Sequence, residues 1–163
     1  MLRQTLAAAR EPVTLANGYV VECEWNIRGD IAAAQTACEK WPSELIFCSY
    51  EIGLPIITCG EMQANAPALH PVRLAYALWH EKCREPGLGR ESWDAATMLY
   101  GIRPDAGYWG LHPYGKISVD ARGKTTWQAL AGGKHAFLTE KKPPRQIGAE
   151  IDAIIDKSEA KRS

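Results

Sequence analysis

The stretch from residue 30 to residue 49 constrains the fold more than any other part of the chain. Asp30 precedes an alanine-rich run at 31–40, and Trp41-Pro42 interrupts the chain before an apolar run at 45–49. Because Asp is a favoured N-cap and alanine the best helix former, residues 31–40 are predicted to form a helix. A short apolar run between turn signals indicates a strand buried on both faces. Helix, loop and buried strand make half of a βαβ unit, which predicts an α/β fold with an open, mostly parallel sheet.

The rest of the chain shows further signals for helices and for a small antiparallel excursion. The spacing of apolar residues and the capping residues predict three more helices, at 72–83, 93–101 and 145–158. An antiparallel hairpin is expected around 121–124, and residues 135–140 form another candidate strand. We expect residues 1–163 to form a single domain that ends in a polar tail at 157–163.

Composition narrows the class of protein. The 163 residues carry 19 basic and 19 acidic side chains, so the net charge is zero and no electrostatic nucleic-acid binder is indicated. No apolar run approaches the roughly 18 to 20 residues that a membrane-spanning helix needs, and the N-terminus lacks the apolar core of a signal peptide. The five cysteines are irregularly spaced without a CxxC pair, which fits reduced thiols. We therefore expect a cytoplasmic protein that binds neither nucleic acid nor membrane.

Glu24 and Asn26 form the first candidate site, shortly before the predicted helix. Being two residues apart, they point to the same face if the segment is extended. A carboxylate accepts hydrogen bonds, whereas an amide both donates and accepts, so the pair can hold the vicinal hydroxyls of a sugar. The alternative is a solvated strand edge with an Asn turn, since residues of these types are mostly exposed.

Asp94, in the segment Ser92-Trp93-Asp94 at the start of a predicted helix, is the second candidate. Its carboxylate oxygens suit a hard cation. The alternative is an acidic residue that only complements the positive end of the helix dipole. Glu51 follows the buried strand, where α/β folds place ligands, but it could equally cap the next turn. The four histidines lie outside any metal-ligand or nucleophile motif.

Several short segments follow one another in a fixed order between about residues 17 and 155. They are Glu24-Trp25-Asn26-Ile27, Trp41-Pro42, Tyr50-Glu51-Ile52-Gly53, Ser92-Trp93-Asp94-Ala95-Ala96, Leu99-Tyr100-Gly101-Ile102-Arg103-Pro104-Asp105, and the hairpin segments 115–120 and 123–126. In this order and spacing the chain resembles the inosine–uridine preferring nucleoside hydrolases. No single segment is as specific as a Walker loop, so the resemblance rests on their order.

The resemblance implies a Rossmann-like, partial nucleoside-hydrolase fold and a glycosidase reaction that depends on Ca²⁺. Enzymes of the family hydrolyse the N-glycosidic bond of ribonucleosides to base and ribose through an oxocarbenium-like state. By residue match, Glu24 and Asn26 fall on the family's Glu-x-Asn segment, which grips the ribose hydroxyls, and Asp94 falls on a calcium ligand. Asn17 corresponds to an upstream ribose-binding Asn, although its spacing to Glu24 is one residue longer. Trp93 would also contact the nucleoside.

Two departures from the family pattern bear on activity. Trp93 stands where many members carry the His that protonates the leaving base, and an indole stacks on a purine but is a poor proton donor. The family's Asp-x-Asp-x-Gly-x-Asp-Asp type motif, which supplies most calcium ligands and the catalytic base, is absent from the sequence. The chain thus resembles the C-terminal half of a nucleoside hydrolase, and its catalytic base is unknown.

Three functions stay open. The chain is a nucleoside hydrolase, a non-catalytic remnant that binds ribonucleosides, or a subunit that pairs through an open sheet edge with a separate N-terminal half. Family members are often homo-oligomers, which makes a second copy another expected partner. Because one carboxylate does not make a Ca²⁺ site of roughly six to eight oxygens, we expect the chain alone to be weakly active or inactive, and prone to aggregate.

Overall fold

The computed structural model describes residues 13–14, 20–21, 24–83 and 87–160. Within these ranges the helices are α1 (Trp25–Gly29), α2 (Ile31–Lys40), α3 (Tyr50–Gly53), α4 (Gly60–Asn65), α5 (Pro71–Cys83), α6 (Trp93–Ile102) and α7 (Pro144–Ala160). The strands are β1 (Val13–Thr14), β2 (Val20–Val21), β3 (Leu45–Phe47), β4 (Ile57–Thr58), β5 (Arg90–Glu91), β6 (Trp109–Leu111), β7 (Gly115–Val119), β8 (Thr125–Ala129) and β9 (His135–Glu140).

Strand β9 is the centre of a five-stranded sheet. On one side it pairs in parallel with β3, which places residues 45–47 opposite residues 135–137. On its other side β6 and β7 run antiparallel to it, and β8 pairs antiparallel with β7. Two separate two-stranded pairs, β1 with β2 and β4 with β5, are also antiparallel.

The prediction of a mixed α/β fold with an open sheet and a small hairpin near the C-terminus is confirmed. The parallel pairing of the described sheet joins β3 to β9, and its other pairings are antiparallel. The short turn at 120–124 accounts for the antiparallel pairing of β7 with β8, since strands that follow each other through a tight turn must run in opposite directions. The predicted parallel pairing is found between β3 and β9.

Two hydrophobic clusters lie on opposite faces of β9. Phe137 and Leu138 are neighbours in the strand, so their side chains point to opposite faces. The cluster around Phe137 joins α1, α2 and the sheet through Ile27, Cys38, Phe47, Ile117 and Val119. The cluster around Leu138 joins α6, α7 and the segment after β3 through Cys48, Ile56, Ala96, Leu99, Trp109, Ile147 and Ile151. Helices thus cover both faces of the sheet, as an α/β fold requires.

The chain crosses itself between β8 and β9, and glycines make the crossing possible. Gly115 begins β7 and lies opposite both Ala129 at the end of β8 and His135 at the start of β9. The connecting loop passes over Gly115 so closely that a Cβ at Gly133 would lie 2.7 Å from the Gly115 Cα. No larger residue fits at such a backbone contact, so this glycine pair fixes where β9 enters the sheet.

Helix boundaries follow the sequence signals closely. Helix α2 begins and ends where predicted, and the Asp30 carboxylate accepts a hydrogen bond of 2.8 Å from the Ala33 amide. Helix α7 runs to Ala160, two residues beyond its predicted end at residue 158. The sequence has no glycine or proline between Gly148 and that point to end the helix.

The packing of α7 gives a direct test. Ile147 is 1% exposed in the Leu138 cluster, whereas Ile102 at the end of α6 is 61% exposed. We expect Ile147→Ala to lower the free energy of unfolding by about 2 to 5 kcal/mol, because it leaves a cavity in the core. Ile102→Ala should change it by less than about 0.5 kcal/mol. Urea denaturation measures both, and equal losses would contradict this packing.

His135 predicts a pH dependence of stability. Its Nδ1 accepts a hydrogen bond of 2.9 Å from the Ile117 amide, so the folded chain holds the neutral ring. Burial, and next the charge of Lys116, lower the pKa of His135 below its ordinary value of about 6.5. Its contribution to stability is therefore complete above that pH and is lost as the pH falls below it.

The measurement is urea denaturation between pH 8 and pH 5, with His135→Asn as the matched variant. Asparagine keeps an acceptor near the Ile117 amide but does not titrate. We expect the wild type to lose more stability than the variant as the pH falls. Parallel pH profiles of the two proteins would show that His135 does not contribute.

Candidate functional site

A cavity of about 400 Å³ lies between α5 and the start of α6. Its lining comes from three consecutive elements of the chain. These residues are Ala75, Tyr76 and Trp79 of α5, Arg90 and Glu91 of β5, and Ser92, Trp93, Asp94 and Ala95 at the entrance to α6. Two indoles, two carboxylates and one guanidinium therefore surround a single concave space, a composition typical of small-molecule sites.

Trp93 is held in one orientation by α3. Its indole N–H donates a hydrogen bond of 3.0 Å to the Tyr50 carbonyl. Its ring also stacks on the Tyr50 ring, with centroids 5.5 Å apart and planes 28° from parallel. The Ser92 amide donates to the Gly53 carbonyl over 3.4 Å, which ties the start of α6 to the same helical turn. The indole is thus positioned before any ligand arrives.

The opposite wall is fixed by a cation–π contact. The Arg90 guanidinium lies 3.7 Å from the centroid of the Trp79 ring. This stack joins α5 to β5 beside the cavity, and it leaves the guanidinium among the lining groups. Arg90 is balanced there by the carboxylates of Glu91 and Asp94, so the lining has a net charge of about −1 at neutral pH.

Ser92 is the N-cap residue of α6, but its side chain makes no capping hydrogen bond. Its hydroxyl bonds instead to the Thr58 hydroxyl and donates to the Arg90 carbonyl over 3.0 Å. Asp94, in the first turn of α6, is exposed. Both residues of the predicted pair Trp93 and Asp94 therefore line the cavity, with the carboxylate open to solvent.

The polar base of the cavity was not predicted from the sequence. The Tyr76 hydroxyl forms hydrogen bonds with the Thr58 hydroxyl and the Cys59 thiol. Burial is the largest cause of the raised pKa of Tyr76 and of Cys59, so both groups stay protonated at neutral pH. A buried thiol of this kind is a poor nucleophile. Cys48 and Cys59 are both buried.

Cys59 has an unusual backbone that α7 stabilises. It sits between β4 and α4 in the left-handed region, with φ of 61°. Its amide donates a hydrogen bond of 2.8 Å to the Asp152 carboxylate. Burial, and then the neighbouring charge of Asp156, raise the pKa of Asp152. Asp152 therefore acts as an acceptor for Cys59, whose thiol is hydrogen-bonded to the cavity-lining Tyr76.

The structure does not bring Glu24 and Asn26 to this cavity. Neither is extended as a strand: Asn26 lies in α1, and Glu24 is the N-cap of that helix. The Glu24 carboxylate accepts hydrogen bonds from the Asn26 and Ile27 amides, at 2.8 and 3.0 Å, and from the Asn26 side chain at 3.0 Å. Ile27 packs in the Phe137 cluster, on the face of the sheet away from α6. Capping is favoured over a strand because it satisfies otherwise unpaired helix amides.

Asn17 and the predicted calcium ligand Asp94 are the remaining members of the expected site. Asn17, the expected upstream ribose contact, lies outside the described residues. Among the described residues, no three His, Cys, Asp or Glu side chains come close enough to hold a metal ion. Asp94 and Glu91 alone do not fit Ca²⁺, which takes roughly six to eight oxygens. Asp94 lines the cavity, and its assignment as a calcium ligand stays a prediction.

Comparison with protein-family models, with curated proteins and with solved structures finds no match for this chain. In the described part of the chain, no helix combines the length and the apolar character that crossing a membrane requires.

The hydrogen bond from the Cys59 amide to Asp152 can be tested on α7. We expect Asp152→Ala to lower the free energy of unfolding by about 1 kcal/mol or more, because the buried Cys59 amide loses its acceptor. Asp156→Ala, one turn later on an exposed position, should change it by less than about 0.5 kcal/mol. Thermal or urea denaturation gives both values. An Asp152 variant as stable as the Asp156 variant would contradict the role assigned to this hydrogen bond.

Proposed function

We propose that the chain is a nucleoside-hydrolase-like protein of the cytoplasm whose cavity between α5 and α6 binds a ribonucleoside. The observation that carries the proposal is the placement of Trp93 and Asp94 side by side on the wall of one cavity. The resemblance implies that Trp93 contacts the base and that Asp94 binds the metal. The proposal concerns binding rather than hydrolysis, because the described lining of the cavity has two carboxylates, those of Glu91 and Asp94.

The chemistry of the lining fits a nucleoside. The Trp93 indole, held by Tyr50, offers a rigid surface for a flat heterocyclic base. Asp94 and Glu91 offer carboxylate oxygens that accept hydrogen bonds from sugar hydroxyls. Because the ring and its partner are already stacked, binding loses little side-chain entropy.

Hydrolysis itself would need more than the described cavity supplies. Loss of the base through an oxocarbenium-like state requires a base to activate water and an acid to protonate the leaving group. Trp93 is a poor acid, and the residues described as lining the cavity include no histidine. In a complete nucleoside hydrolase, Ca²⁺ would supply the activated water. We therefore propose that catalysis needs carboxylates from another polypeptide.

A complex with a separate N-terminal half is the second candidate function. In the described sheet β3 is paired on one side, with β9, and lies at the end of the strand order. A strand at an edge presents backbone amides and carbonyls that can pair with a further strand. Co-purification of the chain with such a half would support this candidate, since the half would bring the aspartates of the family's motif.

Calorimetric titration of inosine and uridine into the chain tests the binding proposal. We expect saturable binding that Trp93→Ala weakens about tenfold, which corresponds to about 1.4 kcal/mol of lost stacking. Asp94→Asn should weaken ribose and nucleoside binding alike. Trp25→Ala and Asp105→Asn are matched controls outside the cavity and should leave affinity unchanged. Absence of binding by the folded wild type, or equal effects of the controls, would overturn the proposal.

A reducing-sugar assay separates the remaining alternatives. Incubation with inosine and Ca²⁺ should release no ribose if the chain only binds. Ribose release that saturates with inosine and stops on chelation would show that the chain alone is a hydrolase.

A further inference from the structure

Gly53, at the end of α3, lies directly against Trp93. It is buried, and it closes the one-turn helix that begins with Tyr50. A Cβ built on Gly53 would lie 2.7 Å from both the Cα and the Cγ of Trp93, and closer still to its Cδ1. Carbon atoms in proteins do not approach this closely, so no side chain other than hydrogen fits at position 53 while Trp93 keeps its place.

The close contact involves the backbone of α6 as well as the indole. A ring alone could rotate away from an added methyl group, but the Trp93 Cα cannot move without the start of the helix. The amide of Ser92, the residue before Trp93, donates a hydrogen bond to the Gly53 carbonyl. The Trp93 indole N–H donates a hydrogen bond to the Tyr50 carbonyl. A side chain at position 53 would therefore push both Trp93 and its neighbour Asp94 out of register with the cavity.

We infer that Gly53 is a positioning residue: its missing side chain sets where Trp93 and Asp94 stand in the cavity and so determines how well a flat aromatic base is bound. The inference rests on the proposed function for its ligand, but the placement of Trp93 can be measured without one. The backbone of Gly53 is helical and would accept alanine, so the space taken by Trp93 is what requires glycine.

The test compares two glycine-to-alanine variants of the full chain. Gly53→Ala introduces the methyl group against Trp93. Gly101→Ala is the matched control, since it lies on α6 itself and nothing stands within 4 Å of its added Cβ. With 5-fluorotryptophan in place of the six tryptophans, each indole gives its own fluorine resonance, and Trp93→Phe assigns the one from Trp93. The measurement needs no nucleoside.

We expect Gly53→Ala to shift or broaden the Trp93 resonance and to leave the distant tryptophans unchanged. Gly101→Ala should change none of them and should stabilise the chain slightly, as alanine does inside a helix. An unmoved Trp93 resonance in Gly53→Ala would overturn the inference.

The ligand arm uses inosine and free ribose as probes. We expect Gly53→Ala to weaken inosine binding by about tenfold, while Gly101→Ala binds as the wild type does. Ribose, which lacks a base to stack, should lose less affinity than inosine. If Gly53→Ala shifts the Trp93 resonance but binds inosine as tightly as the wild type, the role of Gly53 in binding would be overturned. A wild type that binds no inosine would instead overturn the proposed function, while the fluorine result still decides the placement of Trp93.

If Gly53→Ala does not fold, the double variant with Trp93→Ala keeps the inference testable. Removing the indole takes away two of the three atoms that the new methyl group meets. The double variant should then recover part of the lost stability, measured as a coupling in a double-mutant cycle. If the stability losses of Gly53→Ala and Trp93→Ala simply add in the double variant, the assigned contact between residue 53 and Trp93 would be overturned.

Discussion

The rest of the structure depends on β9, the strand that both hydrophobic clusters share. Phe137 faces α1 and α2, and Leu138 faces α6 and α7. The same strand gives β3 its parallel neighbour and gives β6 and β7 their antiparallel one. Because β3 is anchored in this way, the turn of α3 that follows it is fixed, and with it the wall on which Trp93 stands.

Much of the local structure was predictable from the sequence because its signals are local. Asp30 and the alanines define α2, and the isoleucine spacing of α7 marks its buried face. The partner of β3 was not predictable in this way. Leu45 lies beside His135, 90 residues later, and nothing in either segment specifies that pairing. The crossing at Gly115 and Gly133 likewise arises only when two distant backbones meet.

The residues of the candidate site show the same difference between local signals and contacts that form only in the folded chain. Trp93 and Asp94 stood out as polar and aromatic residues at a predicted helix start, and both line the cavity. Tyr76 and Arg90 gave no signal, since their roles depend on how α5 packs beside β5. Glu24 did give a signal, but its carboxylate serves the first turn of α1. An acidic residue shortly before a helix can either bind a ligand or cap the helix, and the sequence pattern is the same in both cases.

The central claim is that a nucleoside enters between α5 and α6, and amide chemical-shift mapping tests it most directly. Inosine would be titrated into the uniformly ¹⁵N-labelled chain while the amide spectrum is followed. We predict that the largest shifts fall in residues 90–95 and 75–79, which line the cavity. Shifts centred on residues 24–30, on the other face of the sheet, or a spectrum that inosine leaves unchanged, would contradict the claim.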